Sequence, residues 1–65
     1  MTTRTAFWDD QSRQYVVTDT GDAHEWYSQD GDEWCDEHGR AVATAQFDLA
    51  AIALHGGPRD GEVVA

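Results

Sequence analysis

Residues 40–55 read RAVATAQFDLAAIALH, and the reading of this stretch decides the fold. It is rich in Ala and Leu, residues of high helical preference. Gly56-Gly57-Pro58 follows, as glycine after the last turn and proline beyond it follow a helix. On a helical wheel Arg40, Thr44, Asp48 and His55 share a narrow polar sector. Val42, Ala45, Leu49 and Ile52 form an apolar stripe, with Phe47 and Leu54 toward the other side of the arc. The sequence therefore predicts a helix over 40–55 whose apolar arc is wider than one contact face requires. Two readings of that width compete. Either the alanines let the helix lie close on a sheet and the whole arc is core, or the excess (Phe47, Ala51, Leu54) is a dimerisation or docking surface.

Upstream, three strand-like runs alternate with turns. Thr3 to Trp8 is rich in Thr and aromatics. Asp9-Asp10-Gln11-Ser12 is a polar turn, and Arg13 to Asp19 a second strand. Thr20-Gly21-Asp22 turns the chain into a third, Ala23 to Gln29. Asp30-Gly31 reads as a two-residue type I′ hairpin turn. That register sets Tyr27 opposite Trp34, Gln29 opposite Asp32 and Glu25 opposite Asp36, with His24, Trp26, Ser28, Glu33, Cys35 and Glu37 on the other face. Both faces carry aromatics and acids, so the pattern leaves open which is buried. The expected architecture is α+β: a three- or four-stranded antiparallel meander followed by one helix, βββ(β)α. It forms a single domain over 1–58 with a flexible tail from Arg59 to Ala65.

With 65 residues, the chain is near the size at which one core is marginal. It has 13 acidic residues against four arginines and no lysine, a formal charge of -9. Eight of the acids fall between Asp19 and Glu37 with no Lys or Arg among them: Asp19, Asp22, Glu25, Asp30, Asp32, Glu33, Asp36 and Glu37. Trp26, Tyr27 and Trp34 lie between them. A solvated acidic run lacks aromatics and stays unfolded, whereas this one has the apolar mass to hold its charges in place. Fixed negative charge is what a cationic, nucleic-acid-binding groove recognises. The expected partner is therefore a basic nucleic-acid-binding protein or ribonucleoprotein complex. Trp26, Tyr27 or Trp34 would anchor the contact, and the chain would act as monomer or homodimer. Direct nucleic-acid binding is disfavoured, because Arg4, Arg13, Arg40 and Arg59 are scattered and outnumbered.

Other chemistry has less support. A single Cys35 excludes an internal disulfide. The opening MTTRTAFWDD lacks the apolar run of a signal peptide, and Leu49 to Leu54 is too short to span a membrane. A cytoplasmic location is expected, and anionic headgroups would repel the chain. Cys35 and His38 stand three apart, with His24 elsewhere, which sketches a zinc site with a carboxylate but supplies only half of a Cys/His hook. Asp30-Gly31-Asp32-Glu33 offers hard oxygens without the frame of a calcium loop. Neighbouring negative charge opposes a Cys35–His38 nucleophile. No phosphate loop or nucleophile elbow is present. The expectation is no enzyme, no cofactor and no dedicated metal, with a small zinc domain as a minor alternative.

In size, charge and expected layout the chain resembles the small phage-encoded inhibitors: anti-CRISPR proteins, anti-restriction proteins and uracil-DNA glycosylase inhibitors. The resemblance spans the chain and rests on no diagnostic motif, so no contact residue transfers from it. It implies a stoichiometric, non-enzymatic inhibitor, an anti-CRISPR foremost, that presents carboxylates where phosphates would sit in a host defence complex.

Overall fold

The computed structural model describes residues 2–44 and 49–64. They form a mixed five-stranded sheet: β1 (Thr2–Asp9), β2 (Gln14–Val17), β3 (Trp26–Ser28), β4 (Leu49–His55) and β5 (Val63–Val64), in the spatial order β3-β2-β1-β4-β5. β1, β2 and β3 form an antiparallel meander, with Trp8 opposite Tyr15 and Val17 opposite Trp26. β4 runs parallel to β1, with Leu54 beside Ala6, and β5 pairs antiparallel with β4. Outside β3, bridges from Tyr27 to Cys35 and from Cys35 to Ala41 carry the ladder further.

The expected helix is not there. Among the described residues none is α-helical, and the turn at Gly57–Arg59 is of the 3-10 type; the βββ(β)α assignment is corrected to a mixed sheet. The reason lies in residues 49–54, LAAIAL. A continuous apolar run satisfies a period of 2 as well as one of 3.6, and a strand between two neighbours, one of them parallel, is apolar on both faces. Ile52 and Leu54 are each 1% exposed, while Ala51 and Ala53, facing the other way, are half-buried. Pairing with β1 and burial of Ile52 and Leu54 outweigh the few tenths of a kcal/mol per residue by which helical preferences differ. The helical docking face is corrected with it. Leu54 is core, Ala51 lies on the opposite sheet face, and Phe47 lies outside the described residues, as do Ala45 and Asp48.

The core is built on one face of the sheet. Ala6, Tyr15, Val17, Trp26, Trp34, Ile52 and Leu54 are buried together, with Trp8, Val42 and Val64 packed against them. Trp8 meets Tyr15 edge-on at 4.9 Å between ring centroids, a stabilising cross-strand pair. Loops close the core. The Tyr15 hydroxyl donates to the Gly56 carbonyl and accepts from Arg59 N–H, both at 2.8 Å. Gly57 has φ +67°, and a Cβ there would lie 2.5 Å from the Trp8 ring. Residues 59–64, expected as part of a tail, are tied to the sheet by these contacts and by β5.

The Asp30-Gly31 turn stands where the sequence places it, but its register differs by one residue. Tyr27 pairs with Cys35, not Trp34. A type I′ turn needs positive φ at both central residues, and of the two only Gly31 has it, at +83°. Asp30 instead organises a wider loop through its side chain. One carboxylate oxygen accepts the Ser28 hydroxyl at 3.0 Å and the N–H groups of Asp32 and Glu33 at 2.9 and 3.1 Å. A one-residue slip reverses every side chain, and here it turns Trp34 into the core beside Trp26.

Candidate functional site

Because β3 is only three residues long, the acids before and after it fall at its two ends rather than in a row along the sheet. Glu25 immediately precedes β3, and Asp30 lies in the loop that follows it. The acids therefore do not repeat along one sheet face but gather in two clusters.

The first cluster surrounds Arg59. Its guanidinium donates to the Asp30 carbonyl at 2.8 Å, to Asp32 Oδ1 at 3.0 Å and to Glu62 Oε1 at 3.1 Å. The carboxylates of Glu62 and Asp32 push its pKa still higher. Asp30 is held below the ordinary carboxylate range by the N–H groups of Asp32 and Glu33 and by Ser28. Glu33 is exposed, and its carboxylate has no partner among the described residues. Beside this cluster runs an open cleft of about 670 Å³ lined by Gln14, Tyr27, Ser28, Gln29, Asp30, Asp32, Glu33, Trp34, Cys35, Gly39, Ala41, Val42 and Thr44. Three carboxylates and one half-exposed phenol ring thus border a single concave surface.

The second cluster lies where the 20–25 loop meets the 36–40 turn. Asp36 Oδ1 accepts the N–H groups of His38 and Arg40 at 2.9 and 3.0 Å, which hold it below its ordinary pKa, the Arg40 bond most. Buried Thr20 donates to the His24 carbonyl at 2.7 Å and accepts from Asp22 N–H at 3.1 Å. Glu37 hydrogen-bonds His24 Nδ1 and lies 3.6 Å from His38 Nε2. Partial desolvation opposes ionisation of Glu37, but the two histidines outweigh it and its pKa falls. The same hydrogen bond and charge raise the pKa of His24. Asp22 accepts the N–H of Ala23, and Glu25 accepts the Tyr27 hydroxyl at 2.7 Å, which raises the phenol pKa. Asp19 is exposed, and its side chain has no partner among the described residues.

Seven of the eight expected acids are exposed and Asp36 is half-buried. Of the aromatic anchors, Trp34 is 7% exposed and belongs to the core, as does Trp26, whereas Tyr27 remains half-exposed in the cleft. Cys35 does not join His38. Its thiol donates to the Tyr27 carbonyl at 3.4 Å, and the group with metal-ligand geometry is His24, Glu37 and His38. Sequence reasoning named both histidines but not Glu37 as their partner. The missing signal was the register: three residues out from the Tyr27–Cys35 pair, His24 stands across from His38. Among the described residues no helix is long and apolar enough to cross a membrane. No protein-family model, curated protein or solved structure matches the chain.

Proposed function

We propose that this chain is a non-enzymatic inhibitor that acts in the cytoplasm, where its two carboxylate clusters engage a basic nucleic-acid-binding protein or ribonucleoprotein. Within that class the anti-CRISPR reading is the leading one; it rests on size and charge, since the helical layout that also suggested it is absent. The observation that carries the proposal is the cleft bordered by Asp30, Asp32, Glu33 and Tyr27, backed by a second acidic cluster at the far end of β3. A lysine or arginine entering the cleft gains the three carboxylates and the face of an aromatic ring. Turn hydrogen bonds keep Asp30 and Asp36 ionised and in place, so less ordering remains to be done on binding. A formal charge of -9 speeds encounter with a basic surface.

The test neutralises both ends while sparing Asp30, Asp36 and the histidine cluster. Asp22→Asn, Glu25→Gln, Asp32→Asn and Glu33→Gln are combined, and the immobilised variant is compared with the native chain for capture of proteins from a bacterial lysate. The proposal expects a nucleic-acid-binding protein retained by the native chain and lost by the variant. Equal retention by a variant that folds normally would overturn it.

A further inference from the structure

We propose that His24, Glu37 and His38 form a binding site for a divalent transition metal of the zinc type, independent of the inhibitor reading. A ring nitrogen of each histidine and a carboxylate oxygen of Glu37 lie within 4.8 Å of one another. Ligand atoms on a tetrahedral ion with bonds of about 2.0–2.1 Å stand about 3.3–3.5 Å apart, and the Glu37–His38 pair is already at 3.6 Å. The His24–Glu37 hydrogen bond opens to admit the ion, and the three side chains turn toward it. These are small rotations of exposed side chains. The backbones beneath are fixed by groups outside the cluster: Thr20, 1% exposed, bonds the His24 carbonyl, and Asp36 bonds the His38 N–H. The two loops thus present their imidazoles to the same point before any ion arrives, with ring centroids 6.0 Å apart. Two imidazoles and one carboxylate are a borderline-soft set that suits Zn²⁺, Ni²⁺ or Cu²⁺ better than Ca²⁺ or Mg²⁺, which prefer oxygen alone. Three protein ligands leave a fourth position open to water or to a donor atom from a partner. A bound ion would also clamp the 20–25 loop to the 36–40 turn.

The experiment titrates Zn²⁺ into the chain, without a polyhistidine tag, by calorimetry against a competing chelator, and follows the histidine ring signals by NMR. The expectation is one equivalent bound, with the His24 and His38 signals moving and that of His55 still. His38→Ala and Glu37→Gln should each weaken binding at least tenfold, the least that loss of a supporting outer group costs at known sites. His55→Ala should leave it unchanged. Mg²⁺ should not compete. Absence of stoichiometric binding, equal affinity in His38→Ala, or equal displacement by Mg²⁺ would each overturn the proposal. His38 is exposed at the surface, so its variant keeps the fold and the comparison stands.

Discussion

Gly57→Ala should damage this fold far more than its exposed position suggests. The residue has φ +67°, where an L side chain costs about 1–2 kcal/mol. The new methyl would also lie 2.5 to 2.7 Å from three carbons of the Trp8 ring. Trp8 cannot simply withdraw, because it packs against Tyr15 at 4.9 Å and its indole N–H reaches Asp10. Overpacking of this kind costs about 1–3 kcal/mol more, for a total of about 2–5 kcal/mol. A chain of 65 residues has about 3–10 kcal/mol to lose, and each kcal/mol moves Tm by about 4–8 °C in a domain of this size. Gly39→Ala supplies the control. It has φ +79° but nothing within 4 Å of the added carbon, so it carries only the backbone cost. Urea unfolding followed by tryptophan fluorescence should place Gly57→Ala at least 1 kcal/mol below Gly39→Ala, the lower end of the overpacking cost. Adding Trp8→Leu to each should show positive coupling with Gly57 and none with Gly39. Equal destabilisation by the two alanines, or no coupling to Trp8, would refute the packing of the 56–59 turn on β1.

Leu54→Ala should cost about 2–5 kcal/mol by urea denaturation, as a cavity beneath a central strand does, whereas Ala50→Ser, at an exposed position, should stay within about 0.5 kcal/mol; similar effects at both would deny β4 its place in the core. Asp30 and Asp36 have folded pKa values below their ordinary ones, so their contribution is fully present above the ordinary carboxylate range and is lost as pH falls through the depressed folded values. Tm should therefore drop on acidification through that range, and less so in Asp30→Asn; identical acid profiles would contradict the assigned hydrogen bonds. Arg59→Gln removes the donor that joins the 30–32 loop to Glu62 and should speed amide exchange at Gly31 and Glu33 while leaving β1 unchanged.

The meander was legible because its strands alternate. Arg13 to Asp19 was expected as a strand, and within it Tyr15 and Val17, two residues apart, are both 0% exposed on the core face. The strand ends were less so: β2 begins at Gln14 because Arg13 takes a positive φ of 55° and closes the preceding turn on the Asp9 carbonyl. The hairpin was located by Asp30-Gly31, but the carboxylate of Asp30 bonds its own loop, and that contest between side chain and turn type decided the register. Residues 49–54 were illegible in principle, since no polar residue interrupts them to mark either period. Exposure of the acids followed from their chemistry, whereas their division between two ends of β3 followed from a strand shorter than the seven-residue run that suggested it. The histidine cluster depends on the register and became visible only with it.

Most of the acidic surface, Asp19 and Glu33 apart, carries charges that are held rather than merely abundant. Asp30 and Asp36 are fixed by backbone N–H groups, Asp32 by Arg59, Glu37 by His24 and Glu25 by Tyr27. Loops are where binding residues concentrate when a rigid scaffold positions them, and here the scaffold is the β1–β4 sheet. The most direct measurement is capture by the immobilised chain from a bacterial lysate, eluted in parallel by a salt gradient and by duplex DNA or RNA at constant salt. A basic nucleic-acid-binding protein should be released at moderate salt and displaced by nucleic acid. Recovery of no such protein, or of one held through high salt and indifferent to nucleic acid, would contradict the inhibitor reading.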